Sequence, residues 1–315
     1  MTPEQRAHLD ALQGYPEGGE PGWRARYEPL IARVIERERP DDPRLSVVIV
    51  AWRSAEFVVE CIDHVLAQRG LGEDELEVVL VDNGGLESVH DAISERVHLQ
   101  LRMVDNVGLS IARNAGAAWS RGPILAFIDD DGLIAPDYCA RGLAYFDDPA
   151  VAAIRSKIVA KEHPIFTTLA GHYDRGPVAV EDCLVTEGSM LTRRDLYIRL
   201  GGFAESLYGH EGIDLTFRAK RDDPDARVLY VPDVIMAHDY CDGWPKFFKK
   251  NFRYSGIDER VAARDPELEV FMERYFARQF DRDPLPTPQR IARLGLLAVR
   301  GALRWGAKAR ASIDR

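Results

Sequence analysis

Three almost continuously apolar runs and a fourth, more mixed one alternate with helical segments between Leu45 and Asp131, and this alternation constrains the fold more than any other feature. Uninterrupted runs of this kind are typical of parallel strands that are buried on both faces. A βαβαβαβ order predicts a right-handed, doubly wound sheet with helices on both sides. Such sheets bind ligands at the carboxyl ends of their strands. The four runs are "LSVVIVAW", "LEVVLVDN", "LQLRMVDN" and "PILAFIDDD".

Polar side chains follow three of these strands, and the last group holds three aspartates in a row, Asp129, Asp130 and Asp131. Successive side chains of a strand point to opposite faces, so Asp129 and Asp131 should share a side while Asp130 faces away. Two converging carboxylates repel unless a cation or a donor compensates them. A divalent metal bound together with substrate phosphates would do so. A solvated acidic loop that caps a helix is the alternative interpretation.

The composition excludes several classes of function. The chain has 315 residues and a formal net charge of -10, so its surface as a whole does not attract nucleic acid, and we expect no nucleic-acid partner. A GxxxxGK phosphate loop and a GxGxxG turn are both absent, which argues against NTPases and dinucleotide enzymes. The four cysteines are widely spaced, which favours free thiols and a cytoplasmic protein.

No membrane-spanning segment is expected either. The first residues are polar, so we expect no signal peptide, and no apolar stretch approaches the ~18 residues of a spanning helix.

Several motifs, taken in order, resemble the nucleotide-binding half of GT-A fold glycosyltransferases, specifically glycosyltransferase family 2. They are "SVVIVAWRSAEFVVECIDHVLAQ", "VVLVDNGG" and "NVGLSIARNAGAAWSRGPILAFIDDDGLIAPDY". The resemblance is dense from Leu45 to Tyr145 and thinner to His238. It implies an α/β fold, a GT-A (Rossmann-like), mostly parallel sheet flanked by helices. Outside the resemblance, the residue patterns predict helical N- and C-terminal extensions.

The resemblance and the patterns on either side of it together predict four regions. These are an N-terminal helical extension (1–44), the nucleotide-sugar-binding half of the GT-A domain (45–145), its acceptor-binding and catalytic half (146–245) and a C-terminal helical region (246–315).

The resemblance also implies residue roles on the donor side. The nucleobase is expected after the first strand, and a base or ribose contact is expected at Asp82. This chain has Asp-Asn-Gly-Gly where the family commonly has Asp-Asp-Gly-Ser, so only the first aspartate carries over. For Arg113 a surface salt bridge is the alternative. The expected nucleotide-sugar contacts are Ala51, Trp52, Arg53, Asp82, Asn106, Gly108, Arg113, Asp129, Asp130 and Gly188.

The expected metal ligands are Asp131, Asp129 and His238, with Mn²⁺ or Mg²⁺ as the cofactor. Asp129 and Asp131 match the first and last positions of the family's DxD motif. His238 lies just past a predicted strand, where several relatives carry a ligand, and a purely structural histidine is the alternative.

The chain departs from the family pattern in the stretch where the catalytic base is expected. Inverting transfer needs a base that deprotonates the acceptor hydroxyl. The resemblance implies a base in the stretch "HEGIDL", where Glu211 is the first choice and Asp214 the second. Gly212 stands where the family usually has an acid. The i, i+3 spacing predicts that both carboxylates lie on one helix face, and a structural pair with Arg218 is the alternative for Asp214.

The C-terminal pattern predicts a basic amphipathic helix over 289–315. Such a helix can lie on an anionic membrane, which would place the protein peripherally at the inner face of the membrane. Packing on the main domain or on a second subunit of a homodimer is the alternative. The basic stripe is Arg293, Arg300, Arg304 and Lys308, and the apolar stripe is Leu296, Val299 and Leu303.

Together these observations predict a metal-dependent, inverting glycosyltransferase. It would move a sugar from a nucleotide-diphospho-sugar, with UDP expected, to an acceptor hydroxyl of a glycan, a lipid-linked glycan or a natural product. Two alternatives stay open. A sugar-1-phosphate nucleotidyltransferase would carry a Gly-rich basic signature, which "AWRSAEF" lacks. A non-catalytic nucleotide-sugar- or carbohydrate-binding relative would explain the missing acid at Gly212.

Overall fold

The computed structural model describes residues 1–253, 261, 265–278 and 285–313, and side chains beyond 303 lie outside that description. Within the described part, ten strands form one mixed sheet. The strands are β1 (Ile31–Glu36), β2 (Leu45–Ala51), β3 (Leu76–Asp82), β4 (Leu99–Met103), β5 (Ile124–Asp129), β6 (Leu133–Ile134), β7 (Val151–Val159), β8 (Val180–Glu181), β9 (Ser189–Arg193) and β10 (Arg227–Ala237).

The four apolar runs form adjacent parallel strands, as their pattern predicts. The strand order is β1-β4-β3-β2-β5-β9-β7-β10-β6, and β8 pairs with β10 beside this path. Strands β4, β3, β2 and β5 run parallel to one another. The short β9 lies antiparallel between β5 and β7 and joins the two halves of the sheet. The carboxyl ends of the four parallel strands therefore meet at one edge.

Helices cover both faces of the sheet, so the expected α/β architecture is confirmed. Alternate side chains of β2 enter opposite layers: Val47 and Ile49 belong to one core cluster, and Val48 and Val50 belong to the other. The helices are α1 (Pro3–Ala11), α2 (Gly19–Tyr27), α3 (Ala55–Leu66), α4 (His90–Ser94), α5 (Leu109–Trp119), α6 (Tyr138–Ala144), α7 (Pro164–Thr167), α8 (Arg194–Arg199), α9 (Glu211–Asp222), α10 (Trp244–Arg253), α11 (Pro266–Ala277) and α12 (Thr287–Ile313).

Helix α5 lies unusually close to the sheet because its inward residues are small. A Cβ atom on Gly116 would lie 2.4 Å from Cγ1 of Val48 and 3.1 Å from Cγ2 of Val81. The small residues of "ARNAGAA" therefore let the helix approach the strands closely. Because Arg113 lies on this helix, they also bring it close to the carboxyl edge.

The N-terminal region differs from the expected helical extension. Its two short helices are present, but Ile31–Glu36 forms the edge strand β1, antiparallel to β4. Most side chains of β1 are exposed, so it lacks the apolar run that marks the other strands. Trp23 and Tyr27 of α2 are fully buried in the core cluster that holds α5. Residues 1–44 therefore belong to the main fold.

The C-terminal helix packs on the main domain, which is the alternative to membrane contact. Leu296 of α12 is only 4% exposed and lies in a cluster with Leu169 and Phe247. Val299 and Leu303 pack against the same cluster. The stripe expected to face a membrane is therefore covered by α7 and α10. Along the described residues, no helix is both long enough and apolar enough to cross a bilayer.

Parts of the predicted C-terminal pattern lie outside the described residues. These are the end of "PKFFKKNFRYSG", the start of the proline-rich "DRDPLPTP", and the side chains of Arg304 and Lys308 in the basic stripe.

Candidate active site

Asp129, Asp131 and His238 form a cluster of candidate metal ligands at the carboxyl edge. Asp129 ends β5, Asp131 lies in the following turn, and His238 follows β10. One ligand atom from each residue lies within 4.8 Å of the others, and Nε2 of His238 is 3.2 Å from Oδ1 of Asp131. Two carboxylates and an imidazole suit a divalent ion. The structure thus brings together the three residues expected as ligands, with Asp129 and Asp131 on one side.

The charges of this cluster shift the pKa values within it. Burial alone would raise the pKa of Asp131, but the hydrogen bond and charge of His238 lower it. Burial alone would lower the pKa of His238, but the bond to Asp131 and the charges of both aspartates raise it. Tyr173 lies with its hydroxyl 3.3 Å from Nδ1 of His238 and so leaves Nε2 facing the carboxylates. The site therefore favours positive charge between these groups.

Asp130 faces away from the cluster, as strand alternation predicts. Its Oδ2 accepts hydrogen bonds from the backbone N–H of Trp52, at 3.2 Å, and from the hydroxyl of Ser54. Burial raises the pKa of Asp130 to about 7, although the Ser54 bond opposes the shift. Asp130 thus ties the end of β5 to the turn after β2, and its expected contact with the nucleotide sugar stays a prediction.

Arg113 pairs with Asp129 inside the site. Its guanidinium donates to Oδ1 of Asp129 at 2.7 Å, and the arginine side chain is only 7% exposed. The arginine is therefore buried and Asp129 is partly exposed at 35%, so the pair is not the surface salt bridge considered as an alternative. A Cβ atom on Gly188 would lie 1.9 Å from the carboxylate of Asp129. Glycine is required there because the Asp129 side chain lies against the backbone.

Loop contacts hold the expected donor residues after β3 and β4. Asp82 accepts from the N–H of Gly84 at 3.0 Å and lies 2.8 Å from Nε2 of His90. Oδ1 of Asn106 accepts from the N–H of Gly108 at 3.0 Å. Gly108 has a φ of 95°, which only glycine adopts readily. These bonds order the two loops, and the donor contacts of Asp82, Asn106 and Gly108 stay predictions.

The turn after β2 presents Trp52 and Arg53 to solvent beside these loops. Trp52 is half exposed, and the Arg53 guanidinium lies 5.2 Å from the centre of the Trp52 ring. Arg53 has a φ of 55°, a strained value that clusters at functional sites. Ala51 differs, because its side chain is fully buried in the core. The expected contact of Ala51 with the nucleobase is therefore not available to its side chain.

A cavity of about 670 Å³ adjoins the metal-ligand cluster. Its walls come from α5, β5, β10 and the start of α9, and it is closed on one side by residues of α10, α11 and α12. The C-terminal region therefore contributes to the cavity wall. Five of the expected site residues line the cavity: Arg113, Asp129, Gly188, Glu211 and His238.

Glu211 is the first residue of α9 and faces this cavity. The residue before it, His210, has a φ of 62°, so the chain enters the helix through a strained turn. Burial raises the pKa of Glu211 to about 7, and the charge of Glu187 adds to the shift. Such a carboxyl group exchanges a proton near neutral pH, which suits a general base.

Asp214, the second choice for the base, is not among the residues that line the cavity. It accepts from the hydroxyl of Tyr15 at 2.8 Å and from the guanidinium of Arg218 at 2.8 and 3.0 Å. Its side chain is only 3% exposed. The structure therefore supports the structural alternative for Asp214.

Three residues of the cavity wall were missed by sequence reasoning. Glu187 lies two residues before β9, Tyr173 contacts the metal-ligand histidine, and Arg300 reaches the cavity from α12. Of these three residues, only Glu187 could have been sought from the sequence, because Gly212 lacks the usual acid and another segment could supply a carboxylate. Tyr173 and Arg300 are brought to the site by long-range packing.

The sheet order, with the acid-histidine cluster at the carboxyl edge and a cavity beside it, is the arrangement of the GT-A fold. Residues 46–200 match the family model described as glycosyl transferase family 2. The match spans just under half of the chain and makes this part similar to family 2, and the expected fold is confirmed.

Solved structures share the fold. The Mannosyltransferase PcManGT from Pyrobaculum calidifontis, in complex with GDP-Man and Mn²⁺, has a TM-score of 0.58 at 18% identity and covers 89% of this chain and 90% of its own. S. aureus TarS 1-349 in complex with UDP-GlcNAc has a TM-score of 0.54 at 17% identity, with 74% and 73% covered.

Among named relatives, the pre-mycofactocin glycosyltransferase of Mycobacterium tuberculosis is 26% identical over 206 residues. The match covers 61% of this chain and 43% of the relative. The chain thus spans less than half the length of that protein.

Proposed function

We propose that the chain is a metal-dependent, inverting glycosyltransferase that moves a sugar from a UDP-linked donor to an acceptor hydroxyl. One observation carries the proposal: Asp129 and His238 of the metal-ligand cluster line the same cavity as the buried carboxyl group of Glu211. A bound leaving group and a base are the two things that such a transfer needs in one place. The similarity to family 2 supports the reaction class.

In this proposal the donor lies along the carboxyl edge. The ring of Trp52 and the guanidinium of Arg53 offer a stacking surface for the nucleobase, and Asp82 is near enough to the same edge to accept from the base or ribose. A divalent ion held by Asp129, Asp131 and His238 would neutralise the diphosphate as it leaves. A site with both oxygen and nitrogen ligands favours Mn²⁺ over Mg²⁺, because Mg²⁺ prefers oxygen ligands.

Glu211 is the proposed base. Its carboxylate takes the proton of the acceptor hydroxyl while that oxygen attacks the anomeric carbon of the sugar. The bond from the anomeric carbon to the diphosphate oxygen breaks, and the nucleoside diphosphate leaves with the electron pair. Attack from the face opposite the leaving group inverts the configuration. The pKa of Glu211, raised to about 7 by burial and by Glu187, suits a base at neutral pH.

For the acceptor, the cavity supports only a chemical class. Aromatic rings of Tyr173, Tyr240, Tyr275 and Phe276 line the cavity, and flat apolar faces of this kind stack on sugar rings. They support an acceptor that carries a sugar or a ring, such as a glycan, a lipid-linked glycan or a natural product.

Calorimetric titration of UDP, GDP, CDP and dTDP, each with and without Mn²⁺, tests the donor half of the proposal. We expect one nucleotide to bind tightly and only with the metal. UDP is the expected one, and the GDP-Man complex of PcManGT makes GDP its main competitor. Asp131→Asn should abolish the metal-dependent part, while Asp42→Asn, an exposed aspartate remote from the site, should leave it unchanged. No binding of any nucleotide would contradict the proposal.

Donor hydrolysis then separates the enzyme from a binding relative. A catalytic chain should release free sugar slowly from the donor when the metal is present and the acceptor is absent. Tight nucleotide binding with no hydrolysis and no transfer would favour the non-catalytic alternative.

A further inference from the structure

The start of α9 has no room for the acid that the family resemblance implies at position 212. A Cβ atom on Gly212 would lie 1.8 Å from the carbonyl oxygen of Leu184 and 2.9 Å from Oε1 of Glu187. Distances below 3.0 Å require the neighbours to shift, and the backbone carbonyl cannot do so cheaply. The space that a side chain at this position would enter is therefore taken by the segment before β9.

That segment brings a carboxylate of its own. Oε1 of Glu187 accepts a hydrogen bond from the backbone N–H of Gly212 at 2.8 Å. Gly212 is in the first turn of α9, where N–H groups lack partners within the helix and a negative charge is favourable. Glu187 therefore stabilises the turn that carries Glu211, and both carboxyl groups line the cavity.

The surroundings of Glu211 make Glu187 its main charged neighbour. Burial has the largest effect on the proton affinity of Glu211, and the charge of Glu187 comes next, in the direction of tighter proton binding. Hydrogen bonding to the backbone of Gly209 opposes both, as does the Arg113 guanidinium from α5. His210 precedes Glu211 in the chain, and Tyr197 of α8 is electrostatically coupled to it.

We propose that Glu187 is a positioning residue for the transfer reaction, acting through Glu211. Its carboxylate fixes the first turn of α9 and, as a second negative charge in a buried place, keeps Glu211 ready to accept a proton at neutral pH. It thereby takes over, from a different segment of the chain, the carboxylate that position 212 lacks. This inference rests on the proposed function, because it assumes that Glu211 is the base.

Glutamine at position 187 separates the charge from the hydrogen bond. Glu187→Gln keeps an oxygen that accepts from the N–H of Gly212 and removes the negative charge, whereas Glu187→Ala removes both. Glu73→Gln is the matched control, since Glu73 is exposed and precedes β3 at the opposite edge of the sheet.

The first test is the pH dependence of kcat. In the native protein we expect kcat to rise with pH through about 7, the pKa of Glu211. Glu187→Gln should move this rise about one pH unit lower, because removing a nearby like charge lowers the pKa of an acid by about that much. The plateau should fall several-fold, since the base is weaker, with KM for the donor unchanged. A profile of Glu187→Gln that superposes on the native one overturns the inference.

The second test needs neither donor nor acceptor. The pKa of Glu211 in the folded chain, about 7, lies above its ordinary value of 4.5, so its contribution to stability is fully present below about 4.5 and is lost as the pH rises through 7. Thermal unfolding between pH 4.5 and 8 should therefore show a smaller loss of Tm in Glu187→Gln than in the native protein and Glu73→Gln. In a Glu211→Gln background the substitution of Glu187 should make no such difference.

The two tests fail separately. If the native protein transfers no sugar from any donor, the proposed function fails, and the unfolding series still measures the coupling of the two carboxyl groups. If transfer occurs but the native protein and Glu187→Gln lose Tm equally with pH, the positioning role of Glu187 is wrong and the proposed function stands.

Discussion

Asp129 belongs to two charge clusters at once, and its neighbours explain how that is tolerated. The Arg113 guanidinium donates to one of its oxygens, while the same residue offers an oxygen to the cluster with Asp131 and His238. Because the arginine is buried, it is a fixed cation that remains when no metal is bound. The acidic edge is therefore compensated in both states, and Arg113 lies where the charge of a diphosphate would arrive.

Glu211→Gln is expected to separate catalysis from binding. The amide cannot accept the acceptor's proton, so the transfer rate should fall by about 10²–10⁴-fold, the usual contribution of a general base. Binding of the nucleotide with Mn²⁺ should be unchanged, because Glu211 is neither a candidate metal ligand nor an expected nucleotide contact. Single-turnover assays beside calorimetric titration measure both quantities. Unimpaired transfer would move the base to another residue.

Asp214→Asn is expected to lower the free energy of unfolding and to leave the transfer activity of the folded protein nearly unchanged. It leaves the largely buried Arg218 without its carboxylate, and breaking a buried pair from one side costs about 3 kcal/mol. Urea unfolding should report that loss, while activity per folded molecule stays within about two-fold of native. Asp222→Asn on the same helix is the control, because its pair with Arg199 is exposed and such pairs contribute about 0–1 kcal/mol. A large fall in kcat with native stability would return Asp214 to the list of bases.

Strand alternation was enough to predict that Asp129 and Asp131 share a side and that Asp130 does not. The long-range partners of Glu211 and Asp214 could not be predicted from local patterns of this kind. Tyr15 and Asp214 are 199 residues apart in the chain, and nothing in the local pattern of either one indicates that they meet. Glu187 was missed for a related reason, because it acts on Gly212 from a separate segment.

At the scale of elements, four of the described strands escaped prediction. β6 and β8 have only two residues each, and β1 and β9 lack the signal that marks the rest. β1 is an edge strand, "IARVIE", whose side chains are mostly exposed and whose apolar residues are interrupted by a charged one. It therefore lacks an uninterrupted apolar run. β9 is only five residues long, "SMLTR", and ends in polar residues although it is central and mostly buried. Its place is set by antiparallel pairing with β5 and β7, strands distant in sequence. Long apolar runs, by contrast, were sufficient to locate β2, β3 and β5.

Helix α12 offers a paired test of how it packs. Leu296 is 4% exposed and Leu294 is 67% exposed. Leu296→Ala should lower the free energy of unfolding by about 2–4 kcal/mol, because it empties part of the cluster under α12. Leu294→Ala should change it by no more than about 0.5 kcal/mol. Chemical denaturation of both variants measures this difference, and equal effects would mean that α12 is not docked through Leu296.

At the scale of the whole molecule, the N-terminal region is bound to the second half of the domain by buried polar contacts. The Arg26 guanidinium donates to Glu205 at 2.5 and 2.7 Å, and the hydroxyl of Tyr27 donates to the same carboxylate at 3.0 Å. The Glu205 side chain is fully buried. Without α2 it would be a buried charge with neither of these partners, which is strongly unfavourable.

Removal of residues 1–30 should therefore prevent the chain from folding into a soluble form. Removal of residues 1–11 is the control, since α1 contributes no buried residue and its loss should lower Tm by only a few degrees. Size-exclusion chromatography and circular dichroism of both truncations measure the outcome. A well-folded chain that lacks residues 1–30 would show that the N-terminal region is an appendage after all.

The contact between Arg26 and Glu205 spans 179 residues of chain, and this has a consequence during synthesis. At about 5–20 residues per second, roughly 10–40 s separate the appearance of α2 from that of its carboxylate partner. For that interval the ribosome-bound chain holds Trp23 and Tyr27 without the core that later covers them. Helix α2 should thus be among the last elements to acquire protection from hydrogen exchange, and its segment "GWRARY" is the expected binding site of a chaperone that shields aromatic segments of nascent chains.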